Sequence, residues 1–183
     1  MPITPNLIST AWWFAAEAHG DQKVPGTELP YMTHIGNVML EVMAAIENSY
    51  VEEPDLAIQC AILHDVIEDT PISVDNVEAM FGPRVTAGVL ALTKDKSMAT
   101  KQDQMIDSLS RIQKQPHAVW CVKMADRITN LRPPPPHWST EKAIGYRAEA
   151  QTIYDALHKG NDYLADRLAE KIEAYPIPTT GSE

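Results

Sequence analysis

Cysteine is almost absent: Cys60 and Cys121 are the only two in 183 residues, set in the apolar runs IQCAIL and VWCVKM. Two separated thiols build neither a secreted disulfide framework nor a sulfur-rich zinc site, so both read as buried free thiols. Basic residues are also few, 15 Lys and Arg against 25 Asp and Glu, for a formal net charge of -10. A surface of that sign repels nucleic acid and anionic membranes, and neither is expected as a partner. A phosphorylated substrate then needs a local positive site, a metal ion or a few clustered lysines. No stretch reaches eighteen uninterrupted apolar residues, and the opening MPITPNLISTAWW has no basic start and no cleavable apolar segment. These absences point to a soluble, cytoplasmic protein. Strand alternation is missing as well. What remains, 44% hydrophobic and 22% charged residues, suits one globular domain with a real core.

Helical spacing fills most of the chain. Residues 6–19 carry Leu7, Ala11, Phe14, Ala15 and Ala18 on one face, and Gly20 ends the run. GDQKVPGTELP, 20–30, is a loop. Helices are expected over 31–48, over 55–67 behind Pro54, from Ser73 to about Phe81, from Pro83 to about Leu92, and over 99–115. AVWCVKMA, 118–125, fits a short strand or a helix buried all round, and the lack of a partner strand favours helix. PPPP at 133–136 is an extended connector, and helices over 140–157 and 161–174 close the chain.

The sharpest feature is AILHDVIEDT, 61–70, where an apolar run meets His64, Asp65, Glu68 and Asp69. Unpaired charge at the end of a buried segment is costly. On one continuous helix, residues three and four apart share a face, so the four groups would converge. Imidazole beside carboxylate is half of a mixed nitrogen and oxygen metal site. His34 and Asp126, the latter in KMADRITN, are candidates for the other half. Two His and two Asp, without sulfur and with room for water, would make a catalytic centre for Mn or Fe, with Zn and Mg open. Glu68 and Asp69 would then move a proton or orient the nucleophile. The residues alone also admit a solvated helix end at His64-Asp65, a hydrogen-bonded core histidine at His34 and a surface ion pair at Asp126-Arg127. His117, His137 and His158 carry no site signal, and His19 is placed to hydrogen-bond the loop after it.

AHGDQ, PYMTH, AILHDVIEDT, FGPRV, LTK and VKMADRITNLR, in that order, resemble the hydrolase domain of the Rel/SpoT alarmone enzymes. The likeness spans roughly residues 6–157 and is closest to their stand-alone relatives, the small alarmone hydrolases. It implies an all-α, single-domain helical bundle of the HD-hydrolase type, expected over 1–176, and the closing residues 177–183 read by their own composition and position as a disordered tail. It implies Mn2+ on His34, His64, Asp65 and Asp126, catalytic roles for Glu68 and Asp69, and Asn130 one turn beyond the last ligand. Lys23, Lys101, Lys142 and Tyr146 match substrate-binding positions, against the plain readings of solvated lysines and a packed tyrosine. Arg127 and Arg132 fit ion pairs that hold the site.

The implied reaction is release of pyrophosphate from the 3′-position of a nucleotide such as ppGpp, in the stringent response. The alternatives are phosphatase action on NADPH or a nucleoside monophosphate, or a non-catalytic nucleotide-binding domain. Rel-type domains follow the loop glutamine with an Arg-Lys pair whose arginine stacks on guanine. Here Gln22 is followed by Lys23, Val24 and Pro25, which opens ppApp or pppApp beside guanine alarmones. Ile35 stands where relatives often have proline. The run Pro133–Trp138 reads either as a pocket wall with Trp138 free to stack or as a surface prop.

Overall fold

The computed structural model describes residues 3–178. Nine α-helices run through the described residues: α1 Pro5–His19, α2 Met32–Asn48, α3 Pro54–Leu63, α4 Val66–Asp69, α5 Val74–Leu92, α6 Lys101–Ile112, α7 His117–Asn130, α8 Thr140–Leu157 and α9 Asp162–Ala174. A 3-10 turn, His158–Gly160, joins the last two. Among the described residues the only β pairing is an isolated bridge between Lys23 and Pro30. None of their helices is long and apolar enough to cross a membrane.

Local chemistry sets the helix ends. Pro5 and Pro54 sit in first turns, where a missing N–H costs nothing. Ser73 and Asn76 form a reciprocal capping box on α5, while Thr100, Ser139 and Asn161 cap α6, α8 and α9. Gly82, at φ 78°, bends α5 in the FGP segment, a backbone angle that disfavours any side chain. The two helices expected on either side of Gly82 are therefore present as the two arms of α5, which meet where Gly82 leaves helical geometry.

The core is built around α3, in which every residue from Pro54 to Leu63 except Asp55 is buried. α2 and α7 flank it, α1 and α5 pack over it, and α9 lies on the far side of α7. Gly88 lets α5 approach α3: a Cβ there would lie 2.7 Å from Cys60 Sγ and 3.1 Å from Val119 Cγ2. AVWCVKMA belongs to α7, as its lack of a strand partner implied.

One expectation fails where it matters. The helix expected over 55–67 stops at Leu63, and the chain turns before restarting as α4. Consecutive residues of a regular helix diverge by about 100° around its axis, so His64 and Asp65 would point apart. Asp65 instead adopts φ -103°, ψ -3°, and both side chains face one point. The helix expected over 99–115 is the shorter α6, with Thr100 as its cap. Ile177 packs on the core and the Pro178 carbonyl accepts a hydrogen bond from Thr140 Oγ1 at 2.8 Å. The rest of the tail expected over 177–183 lies outside the described residues.

Candidate metal centre and adjoining groove

Three helix ends meet at the site. α2 brings His34, the junction of α3 and α4 brings His64 and Asp65, and α7 brings Asp126. Ligand-type atoms of His34, His64 and Asp126 all lie within 4.8 Å of one another. The two histidines face each other, Nε2 to Nε2, at 3.3 Å. Asp65 Oδ2 is 3.0 Å from His64 Nε2 and 3.7 Å from His34 Nε2. Asp126 Oδ1 is 3.5 Å from His34 Nε2.

Three of the ligand candidates are held by further hydrogen bonds, those to Asp65 and Asp126 partly on the oxygens that face the cluster. His64 Nδ1 donates to the Ala61 carbonyl at 2.8 Å, which turns Nε2 toward the cluster. Lys123 Nζ donates to Asp126 Oδ2 at 3.1 Å, and Asn130 Nδ2 donates to Oδ1 at 2.6 Å. The Tyr31 hydroxyl donates to Asp65 Oδ2 at 2.5 Å. This donor set of two imidazoles and two carboxylates fits a divalent ion of intermediate softness, with no sulfur to close the site.

The electrostatics show what the charges do to one another in protein without metal. Burial alone would lower the His64 pKa, but Asp65 at its side outweighs that and pushes it up to about 9. Burial would raise Asp65, yet His64 and the Tyr31 hydroxyl bring it down to about 2. Asp126 is likewise held well below the carboxylate range despite its burial, by Lys123 first and then the two histidines. Burial and the neighbouring Asp65 keep the Tyr31 hydroxyl protonated, so it remains a donor.

The cluster opens into a polar cavity of about 180 Å³, also lined by Glu68, Asp69, Leu92 and Lys94. Glu68 Oε2 accepts from the Lys94 backbone N–H at 2.9 Å, and Lys96 Nζ reaches the Glu68 carbonyl at 2.7 Å. The segment after α5 therefore straps the short α4 in place. A larger groove of about 770 Å³ adjoins this cavity and shares His34 and Asn130 with it. Its walls are the loops containing Val24–Thr27 and Pro133–Trp138, with Tyr146 and Tyr175 between them. No acidic side chain of the described residues lines it.

The candidate substrate residues separate. Asn130 lines both spaces, and Tyr146 lines the groove beneath the Arg127 guanidinium, 4.6 Å above its ring. Lys142 faces neither space; its Nζ sits 4.2 Å from the Trp138 ring centre. Lys23 is exposed at its bridge to Pro30, and Lys101 is exposed at the start of α6. Arg127 pairs with Glu149, and Arg132 lines the groove. Tyr31, Lys94 and Lys123 escaped the sequence reading. Lys123 had a signal, a lone cation inside AVWCVKMA, which requires a buried partner. Tyr31 and Lys94 lie within the motifs PYMTH and LTK, but nothing in their spacing pointed to the site, because they reach it from loop margins.

Known proteins are similar to this chain over most of its length. A family model described as HD domain matches residues 11–161. Guanosine-3′,5′-bis(diphosphate) 3′-pyrophosphohydrolase MESH1 of Drosophila melanogaster is 34% identical over 164 residues, covering 86% of this chain and 88% of that protein. GTP pyrophosphokinase rsh of Brucella ovis is 33% identical over 135 residues, 71% of this chain but 17% of its own length. The solved structure of a metazoan ortholog of SpoT that hydrolyses ppGpp aligns with a TM-score of 0.80 and 28% identity, over 97% of this chain and all of that one. With the match running from the buried face of α1 to the start of α9, the chain belongs to the HD-domain family.

Proposed function

We propose that this protein is a metal-dependent 3′-pyrophosphohydrolase of a hyperphosphorylated purine nucleotide, of the ppGpp or ppApp type. The observation that carries the reading is the convergence of His34, His64, Asp65 and Asp126 beside a cavity that holds Glu68 and opens into a nucleoside-sized groove. The activity named for MESH1 supports it.

A divalent ion, with Mn2+ our choice, would acidify water and polarise a phosphoryl oxygen when bound by these four side chains. The remaining work falls to the protein. Water adds its oxygen to the phosphorus attached to O3′, the P–O3′ bond breaks, and pyrophosphate leaves. One water proton passes to Glu68, whose carboxylate the Lys94 N–H holds in place, and a proton returns to O3′. Asp69 orients the water. Lys94 and Lys123, the two lysines lining the cavity, offset phosphate charge, and Asn130 bridges cavity and groove. Tyr146 and Trp138 hold the nucleoside. In place of the stacking arginine of Rel-type loops, Val24 and Pro25 line the groove, which favours contact with adenine as readily as guanine.

The test is a product assay of purified protein with Mn2+ on ppGpp, pppGpp, ppApp, pppApp and NADPH, scoring pyrophosphate against orthophosphate. Pyrophosphate release from an alarmone, lost in Asp65→Ala, is the expected result. Orthophosphate from NADPH alone, or no turnover of any substrate, sinks the proposal.

A further inference from the structure

Asp126 is fixed by two neighbours on its own helix, Lys123 and Asn130. Asp65 Oδ2 meets His64 Nε2 at 3.0 Å, itself a candidate ligand atom, and gains no further side-chain hydrogen bond from α3 or α4. Asp65 lies between them, at the turn where α3 ends and α4 begins. Its brace comes from 34 residues away in the chain, from the Tyr31 hydroxyl at 2.5 Å.

Tyr31 is itself well placed to act as a brace. Its backbone N–H donates to the Gln22 carbonyl at 2.9 Å, which closes the loop begun at Gly20. Its ring packs 4.8 Å from the His19 ring, and His19 Nδ1 is bonded to Gln22 Oε1 at 2.8 Å. The tyrosine is 9% exposed, so water competes little for its hydroxyl. A fixed donor to a ligand carboxylate selects which oxygen lone pairs remain for the ion.

Resting on the metal site argued above, we propose that Tyr31 is a positioning residue that sets the Asp65 carboxylate for metal binding. Removing the hydroxyl leaves Asp65 present, beside His64, but without its donor from outside the ligand set. The ring contact with His19 and the loop closure through the backbone survive in Tyr31→Phe.

The experiment measures Mn2+ binding by calorimetry on the full chain after chelator treatment, without nucleotide, for wild type, Tyr31→Phe and Asp65→Ala. Tyr31→Phe is expected to weaken Mn2+ affinity about 10- to 100-fold, with the circular dichroism spectrum unchanged. Asp65→Ala is expected to lose at least as much. Affinity within twofold of wild type in Tyr31→Phe, with binding lost in Asp65→Ala, overturns the positioning role and leaves the ligand set standing. Wild-type affinity in both variants overturns the ligand set as well.

Discussion

Lys123 Nζ lies 3.1 Å from Asp126 Oδ2, and the two side chains are only 7% and 13% exposed. A buried pair is a matched liability: each charge is tolerated because the other is there. Lys123→Met keeps the stem and removes the charge. The metal-free protein is expected to lose about 3 kcal/mol of stability, by urea denaturation in chelator. Added Mn2+ should restore a larger share of the variant's stability than of the wild type's, since the ion supplies the missing positive charge.

Acid-base linkage gives a second expectation. In folded, metal-free protein the His64 pKa is raised from 6.5 to about 9. Its contribution to stability is fully present below pH 6.5 and is lost as pH rises through 9. A metal ligand must be a neutral ring, so Mn2+ has to displace that proton. Between pH 7 and 9 the apparent affinity should strengthen by up to about tenfold per pH unit. Calorimetry at pH 7 in two buffers of different protonation enthalpy should register release of about one proton.

Glu68 separates chemistry from metal binding. Glu68→Gln keeps an acceptor for the Lys94 N–H but cannot take a proton at neutral pH. We expect kcat to fall about 10²- to 10⁴-fold while the metal content stays at that of wild type. Loss of both together would assign Glu68 to the metal instead.

The groove has its own probe. Trp138 is held between Lys142 on its face and Tyr146 at its edge, 5.2 Å away. Trp138→Ala should raise KM about 5- to 100-fold with Mn2+ affinity unchanged, the size expected for loss of one base-stacking platform. Trp138→Phe should recover most of it.

Packing between α3 and α5 leaves no room for growth at Gly88. Gly88→Ala should cost about 1–3 kcal/mol in the metal-free protein, by urea denaturation, because Cys60 and Val119 must both give way.

Much of this molecule was readable from its residues, for reasons that particular positions make plain. α7 was legible because its apolar run ends in Asp126 and because no strand existed to pair with it. His64, Asp65 and Asp126 stood out because ionisable groups are rare at the end of buried segments, while His34, near the start of α2, was a candidate that the family resemblance singled out. The turn at His64-Asp65 was hidden, since the apolar pattern continues through Val66, which is also buried. Periodicity marks which residues go inside and says nothing of a change in axis between them. Tyr31 and Lys94 were hidden for another reason: their contacts with Asp65 and Glu68 join segments distant in sequence, and only tertiary geometry creates them.

The helix that His64 caps, α3, is also the most enclosed element among the described residues. Reactivity and foldedness therefore share a single anchor. Drift in the interior, whether from heat, denaturant or a cavity cut far from the cleft, should register as a loosened grip on the ion before the molecule comes apart.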